Sequence, residues 1–366
     1  MGNQRLESLD VFRGLTIAAM ILVSTPGSWD AVYAPLNHAA WNGWTPTDLV
    51  FPFLLFAMGA AVPFALARRR GTHRRVRHHV IRRALILFAI GLVLNAIETS
   101  PLSPATFRIP GVLQRIAVVF AIVAVLTERT TWRTQVAVAI GALLGYWALM
   151  ARVPVPGVGV GVLTPEGNLA GYVDRAIFGH HLSNPLGDPE GLLSTIPAVA
   201  TALAGVFAGD WLSQPGETGR RTIVLCAAGV VAVAIGLAWD RAFPINKNLW
   251  TSSFAIFSAG LAAIVLAAAH WVLDVKGWRA WAMPLHAFGR NPLAGYAGSV
   301  ALDAALTRWT MQDASIKGAI YQYAFASWIT PLAGAEAASF AYALAYVAFW
   351  GGVLGVMYRR RMFVGI

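Results

Sequence analysis

The sequence predicts an all-α fold, a polytopic bundle of about ten transmembrane helices, on three observations. Composition is the first: 57% of the 366 residues are hydrophobic and 12% are charged, about half the charged share of an ordinary soluble domain. The second is a mean hydropathy of +0.60, spread over recurring apolar runs close to the roughly twenty residues that cross a hydrocarbon core. The third is where the positive charge falls. Arg68, Arg69, Arg70, Arg74, Arg75, Arg77, Arg82 and Arg83 lie in one short stretch between two apolar runs, with no acid among them. Despite a net charge of +11, that placement fits a loop at a membrane surface and not a nucleic-acid patch.

The apolar runs fall at about 11–27, 48–67, 83–99, 110–127, 134–151, 191–209, 221–239, 251–272, 284–304 and 338–358. Backbone groups cannot stay unpaired in lipid, so each run is expected to be helical. Orientation follows from the lysine and arginine bias of the short loops. Segment 28–47 has no Lys or Arg and 68–83 has eight Arg, which places the first outside and the second in the cytoplasm, with both termini inside. The long segment 152–190 then falls outside. A further apolar stretch, 319–333 with Trp328 and Pro331, would put Arg359, Arg360 and Arg361 outside if it spanned, so it is expected to be a re-entrant or surface helix. The N-terminal run is read as a retained helix, because Arg13 interrupts its start and no small-residue cleavage site follows cleanly. Residues 1–366 are expected to form a single domain. Cys226 is the only cysteine, which excludes an intrachain disulfide and a cysteine-based zinc site.

Polar groups at membrane depth are expensive, so each is a candidate for function or for a structural pair. Asn37, His38, Trp41, Asn42, Trp44, Thr45 and Asp48 form the densest group, at the mouth of the second run. His38 can act as acid or base near neutral pH, and Asp48 could orient its ring. Asn37, Thr45 and Asp48 also read as helix caps and the tryptophans as an interfacial belt, which on residue types alone is the more ordinary reading. Gln114 and Arg115 follow Pro110 and Gly111; Arg115 could bind an anion or reach for the surface. His286 and Arg290 share a helix face, and Asn291-Pro292 breaks the ladder after them, as a cavity lining or a simple kink would. Asp188 and Glu190, and Asn246, Lys247 and Asn248, stand in loops as binding or capping candidates. GxGxxG, P-loop and HExxH motifs are absent from the sequence, so soluble-enzyme templates do not apply.

Seven blocks carry a more specific signal: RLESLDVFRGLTIAAMI (5–21), LNHAAWNGWTPTDLVFPFLLFAMG (36–59), RIPGVLQRIA (108–117), DPEGLLSTIPAVATALAGVFAG (188–209), NKNLW (246–250), GRNPLAGY (289–296) and YRRRMF (358–363). Together, in this order, they resemble the heparan-α-glucosaminide N-acetyltransferase family, in its bacterial, NagX-like branch. Against the lysosomal enzyme, the sequence given lacks the lumenal extension and the additional first span, which agrees with the ten runs counted above. The resemblance implies transfer of acetyl from cytoplasmic acetyl-CoA to the amine of a glucosamine-type sugar across a bacterial inner membrane. It implies that His38, in the HxxWNG block, is the active-site histidine and general base. Asp48 would then fix its tautomer, and Asn42 or Asn37 would bond the thioester oxygen or the sugar. Arg13, Arg82, Arg83 and Arg290 become candidates for the phosphates of CoA, with Gln114, Arg115, Asn248 and Asn291 along its arm. The family also leads to the expectation of a homodimer. An inner-membrane amino-sugar transporter centred on the broken helix at Asn291-Pro292 is the competing reading, weakened by the lack of visible internal repeats.

Overall fold

The computed structural model of the chain describes residues 6–67, 73–98, 107–311 and 314–364. About three quarters of it is helical: α1 (Glu7–Ser24), α2 (Pro46–Ala67), α3 (His73–Glu98), α4 (Val112–Arg129), α5 (Trp132–Arg152), α6 (Leu169–Phe178), α7 (Thr195–Ser213), α8 (Thr218–Trp239), α9 (Ser252–His270), α10 (Met283–Arg290), α11 (Pro292–Arg308), α12 (Ile316–Tyr321), α13 (Ser327–Ala333) and α14 (Ala335–Arg359). Two-residue strands β1 (Thr310–Met311) and β2 (Ala314–Ser315) pair antiparallel. Of the arginine-rich stretch, Arg68, Arg69 and Arg70 lie outside the described residues, and for Arg74 and Arg75 only the helical backbone is described.

Among the described residues, seven helical segments are long and apolar enough to cross a membrane: Pro46–Ala67, Arg77–Glu98, Trp132–Arg152, Thr195–Ser213, Thr218–Trp239, Ser252–Val275 and Ala335–Arg359. They fall on seven of the ten expected runs. The other three are helical as well, two of them unbroken but charged and the third divided. Helix α1 carries Glu7, Asp10 and Arg13, and α4 carries Arg115, Glu128 and Arg129, while the ninth run is divided into α10 and α11. Proline is the cause of that division: Pro292 has no N–H to donate, and Asn291 before it leaves the helical region at φ −126° and ψ 50°. Residues 319–333 lie in a helical run made of α12, a π-helical turn at Gln322–Ala326 and α13.

The chain forms two compact units. One comprises Met1–Leu9, Ala40–Trp44 and Phe51–Gly277; the other comprises Asp10–Ala39, Thr45–Val50 and Trp278–Ile366. Within the first unit, α7 and α9 are the interior helices, with 67% and 56% of their apolar windows buried, against 22% for α3, α5 and α8. Those outer helices show Val93, Leu144 and Val230 on their open faces, as lipid-solvated helices do. Interior contacts use small residues. A Cβ on Gly59 would stand 1.9 Å from the carbonyl oxygen of Ala202, and one on Gly205 2.1 Å from that of Phe56, so α2 and α7 touch backbone to backbone. The second unit repeats the device: a Cβ on Gly14 would meet the Leu285 carbonyl oxygen at 1.9 Å, and one on Gly289 that of Asp10 at 1.8 Å, which locks α1 onto α10.

Candidate active site

In the second unit, Pro46 opens α2 and Asp48 stands in its first turn, where a carboxylate meets the positive end of the helix. Oδ2 of Asp48 accepts from the N–H groups of Ala39 and Thr45, each at 3.0 Å, and Oδ1 lies 2.7 Å from Nδ1 of His38. The Thr45 hydroxyl donates to the Asn37 carbonyl at 2.6 Å, which fastens the loop behind the histidine. The expected cap and the expected catalytic pair are thus one structure: Asp48 caps α2 with one oxygen and holds His38 with the other. Its side chain is 1% exposed while that of His38 is 55% exposed, so a half-exposed ring is anchored on a buried acid.

The second unit also gathers two of the expected donor-binding arginines around an acid that the sequence reading missed. Asp10 lies 3.8 Å from Arg13 and 3.3 Å from Nε of Arg290. Arg13 donates to the Gly289 carbonyl, and the Arg290 guanidinium lies 5.8 Å from the ring of Tyr358 and 5.6 Å from that of Phe363. Asn291 is fully buried, with Oδ1 accepting from the N–H of Val364 and Nδ2 without a partner among the described residues. Also missed is a further ion pair in this unit, Lys317 with Asp303 at 2.8 Å.

In the first unit, Asn42 accepts a bond from Nδ2 of Asn246 at 3.1 Å, and the neighbouring N–H of Gly43 donates to the Ile245 carbonyl. Arg115 is buried: Nη2 donates to the Gly191 carbonyl and the Ser194 hydroxyl, the guanidinium lies 5.1 Å from the Trp250 ring, and Nε and Nη1 have no partner among the described residues. Gln114 Nε2 is likewise buried and unpartnered there. Arg83 lies over the Phe120 ring at 4.8 Å, and Arg82 is exposed.

Asp188 and Glu190, expected only as loop residues, belong to an acidic cluster whose other members, Arg108 and Asp174, sequence reasoning did not single out. Arg108 bonds Asp188 in two-pronged fashion, at 2.9 and 2.8 Å, and reaches Glu190 as well. Burial alone would lower the Arg108 pKa, but the hydrogen bond to Asp188 and the charges of both acids outweigh it and hold the guanidinium above its ordinary range. Asp188 responds in the opposite sense: burial would raise it, and its bonds to Arg108 bring it below the usual carboxylate range. Asp174 on α6 receives only peptide N–H groups, from Leu192 at 2.9 Å and Asp188 at 3.4 Å, and burial pushes its pKa up to about 6. Arg108 and Asp188 are eighty residues apart in sequence, so no local spacing could have paired them.

Fold and site together define a class: an all-helical, polytopic membrane protein that holds a histidine on a buried carboxylate. The family profile described as heparan-alpha-glucosaminide N-acetyltransferase, catalytic, matches residues 5–239, a stretch that contains His38, Asn42, Asp48, Arg108 and Asp188. The chain belongs to that family. It is 30% identical to the heparan-alpha-glucosaminide N-acetyltransferase of Homo sapiens over 80% of this chain and 52% of that protein. The Mus musculus protein of the same name is also 30% identical, over 82% of this chain and 54% of its own length. The chain therefore spans about half the length of the curated relatives it matches.

Proposed function

We propose that this chain transfers the acetyl group of acetyl-CoA to the amine of a glucosamine-type sugar, with His38 as general base. The observation that carries the proposal is the 2.7 Å contact between Nδ1 of a half-exposed His38 and the buried carboxylate of Asp48. Such a contact fixes the ring with a proton on Nδ1 and presents Nε2 as the basic nitrogen.

In the transfer, Nε2 takes a proton from the acceptor amine as the amine nitrogen bonds to the thioester carbonyl carbon. Negative charge gathers on the carbonyl oxygen as the bond forms; Asn42, whose own oxygen is engaged by Asn246, keeps its NH2 as a donor. The C–S bond then breaks, and the leaving thiolate takes up the proton from the imidazolium, giving free CoA and an N-acetyl sugar. Asp48 stabilises the imidazolium between the two proton movements.

The polyanionic end of CoA needs fixed cations, and Arg13 and Arg290 supply two around a single acid, Asp10. Arg290, between Tyr358 and Phe363, also offers aromatic surface beside the charge. Arg115 and Gln114 hold unspent buried donors suited to the amide carbonyls of the pantetheine arm; Arg82, Arg83 and Asn291 are secondary candidates for the same ligand. The family resemblance implies acetyl-CoA on the cytoplasmic face and the sugar on the other, in a bacterial inner membrane; the loop-charge expectation that segment 28–47, with His38, lies outside is part of the same proposal.

The test is release of free CoA thiol by purified protein given acetyl-CoA and glucosamine. His38→Ala should still bind acetyl-CoA and keep its unfolding midpoint, and its turnover should fall on the order of a hundredfold or more. Sugar uptake into vesicles with no thiol release by the wild type would favour the transporter instead.

A further inference from the structure

The first unit contains a cavity of about 120 Å³ beside the acidic cluster, with Trp41, Asp174, Asn184, Asp188, Leu249 and Asn248 on its walls. Asn248 was expected along the arm of CoA; here it shares a cavity with two carboxylates. Among the described residues, no lysine, arginine or histidine lines the space, which argues against a phosphate or any other anion as its ligand.

Its chemistry is that of a hydroxyl-bearing ring. The Asn248 side chain makes no hydrogen bond among the described residues, so it offers both a donor and an acceptor. Asn184 spends its oxygen on the N–H of Leu186 and keeps its NH2. Asp174 accepts two peptide N–H bonds out of the roughly four a carboxylate can take. Donors and acceptors interleaved in this way suit hydroxyl groups, which do both at once. Trp41 provides a rigid flat wall, since its Nε1 donates to the Leu163 carbonyl at 2.8 Å and its ring packs against the cluster of Tyr146, Met150 and Phe243. At about 10–15 Å³ for each water-sized position, the volume holds on the order of ten such positions, close to the heavy atoms of one monosaccharide ring.

We infer that this cavity is a saccharide subsite that binds one pyranose unit through its hydroxyls, with the ring face against Trp41 and the amides of Asn248 and Asn184 as its specific contacts. The inference rests on the acetyltransferase reading only for the choice of amino sugars as probes. The bound unit is either a single amino sugar or one unit of a longer saccharide, and the two are separable by experiment.

Calorimetric titration of the full-length protein in detergent, with glucosamine and with a β-1,4-linked glucosamine disaccharide, tests it without any turnover. Asn248→Ala and Asn184→Ala should each weaken binding, with Asn248→Ala costing about five- to tenfold, the worth of one or two hydrogen bonds to neutral groups. Equal losses for both sugars would mean that the cavity takes a single glucosamine unit; a loss confined to the disaccharide would mean that it takes the second unit of a longer saccharide. Asn184 is exposed, so its variant stays informative even if Asn248→Ala folds poorly. Unchanged affinity in both variants, or no saccharide binding by the wild type, would overturn the subsite. A wild type that binds sugar but releases no CoA thiol would overturn the acetyltransferase reading and leave the subsite standing.

Discussion

The histidine pair of the second unit and the acidic cluster of the first both rest on buried aspartates, but the aspartates are held in opposite ways. Asp48 divides its oxygens between the N–H groups of Ala39 in the loop and Thr45 at the helix start, and the ring of a half-exposed histidine. Asp188 is gripped by Arg108 and by the N–H groups of Ser183 and Glu190, so its charge is fixed. Asp174, only a short loop away in the chain, has two peptide N–H bonds and no such grip, and its pKa rises to about 6. Burial is common to all three. What differs is the partner, and the partner decides whether the carboxylate orients an imidazole, ties two segments together, or becomes an acid that titrates near neutrality.

The largest effect should come from breaking the grip. Arg108→Ala leaves Asp188, whose side chain has no exposed surface, and Glu190, at 8%, without their counter-charge, which should cost about 3–5 kcal/mol. Thermal unfolding in detergent reads this directly; a midpoint within a degree or two of wild type would mean that the ion pair does not hold these segments. Asp174 should behave in the reverse way. Because its folded pKa is raised, the folded state binds the proton more tightly than the unfolded chain, so its contribution to stability is present below the unfolded value and is lost as pH rises through about 6. The shift amounts to about 3 kcal/mol across that window. Asp174→Asn should therefore flatten the dependence of the unfolding midpoint on pH between 4 and 7, and an unaltered slope would assign the titration to another group. Smaller again is the expected loss in Arg290→Ala: about 1.5–3 kcal/mol in acetyl-CoA affinity, with glucosamine affinity spared. Equal affinity for acetyl-CoA in wild type and variant would return Arg290 to a purely structural role beside Asp10.

How much of this the sequence revealed differs between the same two regions. His38 and Asp48 lie ten residues apart, within one loop and the helix turn that follows, so local chemistry was enough to suggest a capped, oriented histidine. The apolar runs were legible for a similar reason: a span is a local property of about twenty residues, and the helices fall where the runs predict. Asp188 and Glu190 drew notice only as loop residues, because their partner Arg108 is contributed by a distant segment. Asp174 gave no signal at all. It sits on α6, a ten-residue helix inside what reads as a long outer loop, and its meaning comes from burial that only the packed chain creates. Asp10 was passed over for a related reason, since its neighbour Arg290 arrives from the other end of the chain.

The central claim is that the carboxylate-held imidazole of His38 removes the proton from the acceptor amine. The most direct measurement is the pH dependence of turnover with saturating acetyl-CoA and glucosamine, in wild type and in His38→Ala. The account predicts a rising pH limb in wild-type turnover, and a variant that is slower by about a hundredfold or more and lacks that limb. A well-folded His38→Ala protein that acetylates glucosamine at near wild-type rate, with the same rising limb, would contradict it.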